Sequence, residues 1–84
     1  MASYDECLQI IRELAEPFAD EGVTIEEESV LGAELGLSSL RTLELVADLE
    51  DRLDVSLPLN ALPGVRTVGE LARLLEKASG GNEG

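Results

Sequence analysis

The chain is 84 residues long and carries 18 Asp and Glu against 6 Lys and Arg, a formal net charge of −12. That length supports one small domain with one core, burying only ~60% of the surface the unfolded chain exposes. The charge excludes nucleic acid as a partner, because phosphates would be repelled rather than neutralised. It also disfavours an anionic membrane surface, and no apolar run approaches the ~20 residues of a membrane span, so no membrane insertion is expected.

A single cysteine, Cys7, forbids an internal disulfide and fits a reducing compartment. The start, Met1-Ala2-Ser3-Tyr4-Asp5-Glu6, lacks the basic and apolar regions of a signal peptide, so a cytoplasmic location is expected. Histidine is absent. Its absence removes Ser-His-Asp and Cys-His catalysis, the zinc signatures and the commonest general base, so no catalytic or metal-ligating residue is assigned. Yet 44% of the residues are hydrophobic, too many for a disordered acidic tail. A folded acidic domain with little catalytic equipment is what remains.

The first helical stripe is Tyr4, Cys7, Leu8, Ile11, Leu14, Ala15 and Phe18, at three-four spacing. Ser3 followed by Glu6 has capping-box spacing for its start, and Pro17 disfavours helical geometry at Glu16. Residues 17–38 contain no long periodic element, but Val23, Ile25, Val30, Leu31, Leu35 and Leu37 predict a connection packed over the helices. Thr24 with Glu27 has the spacing to cap one short turn inside it. A middle helix is expected over Ser39–Leu53, with Leu45, Val46, Leu49 and Leu53 facing the core. Beside that stripe run a second apolar row, Leu40, Leu43 and Ala47, and an acidic row, Glu44, Asp48 and Asp51. Leu45 to Leu53 would already serve one core, so the extra rows point to a surface offered to a partner.

Pro58, Pro63 and Gly64 break any long helix between residues 54 and 66, leaving room for one turn over residues 59–62. The last stripe, Val68, Leu71, Ala72, Leu74, Leu75 and Ala78, follows a second capping box, Thr67 with Glu70. No period-two run marks a strand. The expected fold is all-α, a small four-helix bundle of three main helices plus one short helix. Its domain spans residues 1–79, and residues 80–84 form a flexible C-terminal tail with nothing to bury.

Leu35-Gly36-Leu37-Ser38-Ser39-Leu40 stands where the long connection meets the middle helix. Gly36 relaxes the backbone before the turn, and either serine can serve simply as an N-cap. The stretch resembles the attachment motif of acyl carrier proteins, Leu-Gly-x-Asp-Ser-Leu followed by an amphipathic acidic helix. Here that helix reads Arg41-Thr42-Leu43-Glu44-Leu45-Val46-Ala47-Asp48-Leu49-Glu50-Asp51. Leu57-Pro58 after it and Thr67-Val68 at the last helix extend the likeness over about residues 3–78.

The resemblance implies a non-catalytic carrier whose Ser39, directly before Leu40, receives a covalent 4′-phosphopantetheine arm from coenzyme A. A phosphopantetheinyl transferase makes that bond, and the arm's thiol then holds acyl groups as thioesters for acyltransferase- and ketosynthase-type enzymes. A phosphate on Ser39 would lie at a helix N-terminus, where open N–H groups and the dipole favour an anion. Partner recognition is expected from Leu40, Arg41, Leu43, Glu44, Ala47, Asp48 and Asp51, and the carrier is expected to be a monomer.

Two departures mark the motif: Ser38 replaces the family's Asp before the modified serine, and Arg41 places a cation where an acid is common. Both point toward a specialised, polyketide-type pathway rather than housekeeping fatty-acid synthesis, and the five Arg to one Lys fit a GC-rich bacterial genome. An aminoacyl or peptidyl carrier of nonribosomal peptide assembly is the near alternative, although Leu37 stands where such motifs carry Gly. An unmodified acidic helical interaction module, with Ser39 only a cap, is the other. Cys7 reads as a small buried hydrophobe, and Glu26-Glu27-Glu28 as a solvated loop that lacks the Asp-x-Asp-x-Asp-Gly calcium pattern.

Overall fold

In the computed structural model, which describes residues 3–19, 22–33, 35–57 and 59–80, three α-helices and two short 3₁₀ segments make up the regular structure. Helix α1 is Tyr4–Ala15, α2 is Ser39–Leu53 and α3 is Val68–Gly80. The fold is the expected all-α bundle, with the 3₁₀ segment Leu59–Gly64 as its short fourth member. Among the described residues the only extended pairing is one antiparallel bridge, Val30 with Thr67. Pro58 and residues 81–84 lie outside the described residues, and α3 runs through Gly80.

Helix α1 starts in a complete capping box. The Glu6 N–H donates to Ser3 Oγ (3.2 Å) and the Ser3 N–H donates to Glu6 Oε1 (2.9 Å). Cys7, Leu8, Ile11 and Ala15 are buried, while Tyr4, Leu14 and Phe18 pack at the edge of the core. Pro17 converts the chain to a 3₁₀ turn, Glu16–Phe18, immediately after Ala15. Helix α1 then serves as the platform against which α2 and α3 both pack.

The long connection docks on the start of α3. The Val68 and Gly69 N–H groups, orphans of the first helical turn, donate to the carbonyls of Ser29 (3.0 Å) and Glu27 (2.8 Å). The Leu31 N–H returns the bond to the Arg66 carbonyl at 2.9 Å. Gly69 is needed for this approach, because a Cβ there would come within 3.0 Å of the Tyr4 hydroxyl and 3.1 Å of the Glu27 carbonyl. Ile25, Leu31, Leu35 and Leu37 are buried as expected, but Val23 is not; it is 37% exposed, on the part of the connection before Ile25 turns inward.

The turn expected from Thr24 and Glu27 is organised by Ser29 instead. Ser29 is buried, its Oγ accepts the Glu26 N–H (2.9 Å) and donates to the Thr24 carbonyl (3.4 Å). A serine already inside the fold satisfies the turn's polar groups in both directions, and Thr24 contributes only its carbonyl.

Helix α2 buries Leu45, Val46 and Leu49, with Leu53 half-buried. It ends on Asp54 in left-handed geometry (φ 57°), whose N–H donates to the Glu50 carbonyl. The Glu50 carboxylate reaches over to accept the Leu57 N–H at 2.6 Å, which brings buried Leu57 back to the core.

Helix α3 buries Val68, Leu71, Ala72 and Leu75 behind the second capping box. There the Glu70 N–H donates to Thr67 Oγ1 (3.1 Å), and Glu70 Oε1 accepts the N–H groups of Thr67 (3.0 Å) and Arg66 (2.7 Å). Those backbone donors hold the Glu70 carboxyl below its ordinary value of 4.5. A lowered folded-state pKa stabilises the fold above the unfolded value, and that contribution is lost as pH falls through the folded one. The melting-temperature gap between wild type and Glu70→Gln is therefore expected at pH 7 and should shrink as pH is lowered past 4.5. Thermal melts of both proteins across that range check it.

Candidate functional site

The site is assembled where the long connection enters α2. Gly36 adopts φ +69°, a geometry that lets Leu35 and Leu37, on either side of it, both turn into the core. The Leu35 and Leu37 N–H groups donate to the Val30 (3.1 Å) and Leu31 (3.0 Å) carbonyls, closing a tight loop just ahead of the helix.

The two adjacent serines divide the work. Ser38 is the N-cap, in extended geometry, and its Oγ accepts the Arg41 N–H at 3.2 Å. Its carbonyl accepts the Thr42 N–H (2.8 Å) and the Thr42 hydroxyl (2.9 Å). Ser39, the first residue of α2, has no part in the cap: its side chain is exposed and makes no hydrogen bond among the described residues. The simple N-cap reading thus belongs to Ser38.

Ser39 also stands on the rim of a cleft of about 560 Å³. Thr42 and Leu43 extend the α2 wall, Leu31, Gly32 and Leu37 supply the wall from the connection, and Leu62, Pro63 and Val65 close the far side. None of the last three is near Ser39 in sequence, so local patterning gave no sign of them. What a phosphate-linked arm requires is present: a free hydroxyl, the open N–H groups of Ser39 and Leu40 at a helix N-terminus, and a largely apolar trough beside them.

The outward side of α2 carries all seven residues expected to meet partners. At 3.6 residues per turn they span an arc of about 160°, from Leu43 through Ala47, Leu40, Asp51, Glu44 and Asp48 to Arg41. All seven are exposed, with Leu40 the most open large apolar side chain among the described residues at 66% and Leu43 at 47% on the cleft border. Arg41 is not a free cation. Its Nη1 lies 3.2 Å from Glu44 Oε1, and its guanidinium carbon lies 5.6 Å from the centre of the Phe18 ring. Phe18 is the member of this surface that its place on the first stripe did not reveal.

Elsewhere the chemistry is quiet. Glu26, Glu27 and Glu28 are exposed, and Glu27 accepts the Tyr4 hydroxyl. Among the described residues no three His, Cys, Asp or Glu side chains are grouped to hold a metal ion. No helix there is long and apolar enough to cross a membrane.

Residues 8–75 match the family model described as the phosphopantetheine attachment site. The chain belongs to the acyl carrier protein family. It is 33% identical over 79 residues to the "Acyl carrier protein" of Prochlorococcus marinus, an alignment covering 93% of this chain and 99% of that one. It is 38% identical over 53 residues to the "Probable acyl carrier protein" of Caulobacter vibrioides, covering 63% of this chain and 62% of the relative, less than two thirds of its length. The carrier therefore holds a covalently attached 4′-phosphopantetheine.

That cofactor supplies its own thiol, and the carrier keeps the native one away from it. Cys7 is fully buried on α1, and desolvation, with the charges of Glu76 and Glu6 adding to it, pushes its thiol pKa up from 9.0. A buried neutral thiol is a poor nucleophile. Folded arm-free carrier is expected to show no rapid reaction with a thiol reagent such as dithionitrobenzoate, and arm-loaded carrier one reacting thiol per chain. Denaturant should expose one more in each.

Proposed function

We propose that the arm is carried on Ser39, and that the carrier is a non-catalytic, monomeric, cytoplasmic shuttle for acyl groups. A phosphopantetheinyl transferase loads it, and acyltransferase- and ketosynthase-type enzymes of fatty-acid or polyketide-type biosynthesis use it. The observation that carries this reading is the exposed, unbonded Ser39 hydroxyl at the head of α2, with Ser38 acting as the cap. The arm contributes a thiol on which acyl groups are held as thioesters.

The chain's own residues have a limited task. Ser39 Oγ forms the bond to phosphorus as the pyrophosphate linkage of coenzyme A breaks and adenosine 3′,5′-bisphosphate leaves. The hydroxyl proton passes to a base on the transferase, which is how a chain without histidine takes part. Ser38 holds the helix start in place, and the open N–H groups at that start favour the new anion. The Ser38 and Arg41 departures support a specialised pathway with its own partner set.

Docking by the outer arc of α2 needs to be weak and fast, because a shuttle that bound tightly would not move between enzymes. Asp48 and Asp51 are exposed and have no ion-pair partner among the described residues, so their charge is available to steer an encounter. Reversing both to Lys is expected to slow acyl transfer to a native partner severalfold or more, with the loss shrinking at higher salt and the melting curve little changed. Intact-mass measurement of carrier purified from its native host tests the reading as a whole. One arm, mapped to the peptide that contains Ser39 and partly acylated, supports it; an arm on another residue or none at all refutes it.

A further inference from the structure

The charge on the docking arc is ordered along the helix. The cation, Arg41, stands two residues from Ser39, whereas the unpaired acids, Asp48 and Asp51, lie seven and ten residues beyond it, ~10 and ~15 Å along the axis. Glu44, the acid between them, lies 3.2 Å from Arg41 Nη1, but both side chains are about half exposed (58% for Arg41 and 48% for Glu44), so the pair restrains Arg41 while both charges stay open to a partner. Arg41 is restrained by groups from two elements, the Glu44 carboxylate on α2 and the Phe18 ring at the end of the 3₁₀ turn after α1. A long side chain held in this way presents its charge at a defined place, with little left to lose on docking. Leu40, 66% exposed, lies beside it as an apolar anchor.

We propose that Arg41 is the specificity determinant of this face: the enzymes built for this carrier set a carboxylate opposite Arg41 at the mouth of the active site. Their cations stand further out, opposite Asp48 and Asp51, and an apolar recess takes Leu40 and Leu43. An enzyme that crowds Lys and Arg at its mouth meets a like charge and is turned away, which keeps the carrier out of pathways it does not serve. The inference rests on the docking-face reading of α2 and on the arm at Ser39, which places Arg41 at the partner's mouth.

The test uses carrier shown by intact mass to hold one arm, as wild type, Arg41→Gln and Arg41→Glu. The probe is a malonyl transferase whose carrier-facing mouth is lined by Lys and Arg, used at two salt concentrations. Arg41→Glu is expected to raise kcat/KM at least tenfold over wild type, through KM, with Arg41→Gln between them and the differences compressed at high salt. Changing the probe's mouth cation to Glu should invert the order and make wild type the preferred carrier. That inversion is something a merely structural clamp would not produce. Equal kcat/KM for the three carriers with both forms of the probe, or changes confined to kcat, would overturn the proposal. Thermal melts of the two variants confirm that folded protein is being compared. Peptide mapping separates the two failures. An arm mapped away from Ser39 refutes the attachment reading and with it the placement at the mouth, whereas an arm on Ser39 with equal kcat/KM for the three carriers refutes the Arg41 proposal alone.

Discussion

Ser39→Ala is expected to take arm addition from completion to nothing when the carrier is incubated with coenzyme A and a broad-specificity phosphopantetheinyl transferase. Intact mass reads the result directly. Ser38→Ala should still be modified, because Ser38 Oγ is spent on the Arg41 N–H rather than offered to solvent. Losing that cap costs ~1 kcal/mol of helix stability, so Ser38→Ala will melt earlier and load more slowly without losing the site. Ser38→Asp keeps a capping oxygen and adds the carboxylate that the family motif carries, so loading should be retained or faster. Ser39→Ala removes an exposed hydroxyl that bonds to nothing described in the fold, and its melting temperature should match wild type. Modification that persisted in Ser39→Ala would move the attachment site to another hydroxyl.

The second large effect separates two leucines on the same helix. Leu49 is wholly buried between the helices, and Leu49→Ala removes three carbons from a site closely packed on every side. Such truncations cost ~2–5 kcal/mol. A domain of this size has only ~5–10 kcal/mol in total, so the melting temperature should fall by at least ~10 °C. Leu43 is 47% exposed, and Leu43→Ala should cost well under half as much stability. Its expected effect lies in function instead: slower transfer to partners, because it forms both the cleft wall and part of the apolar strip beside Ser39. Chemical denaturation of both variants, with transfer rates measured on arm-loaded protein, distinguishes them. A Leu43→Ala carrier as unstable as Leu49→Ala would mean that the outer row belongs to the core.

The helices were legible because each rests on interactions within a few residues. Ser3 with Glu6, and Thr67 with Glu70, close reciprocal capping bonds at three-residue spacing, and both boxes are present where the pattern places them. The attachment motif was legible for the same reason: Gly36, the Ser38 cap and the start of α2 are consecutive. Periodicity also sorted α2 into a buried stripe and an outer arc, since a helix turns its residues by a constant angle.

Contacts between distant segments left no such trace. Ser29 and not Thr24 organises the long connection, because the choice depends on which hydroxyl the fold has buried. Val23 was expected inside and lies 37% exposed, since composition marks a segment as apolar without saying where it turns. The far wall of the cleft, Leu62, Pro63 and Val65, and the Phe18 ring beneath Arg41 come from segments some twenty residues from Ser39 on either side. By itself the sequence determined the helices, their inward faces and the serine at the head of α2. What forms the cleft beside that serine and what brings the Phe18 ring to Arg41 were decided by tertiary packing, because each depends on the approach of groups that no local spacing relates.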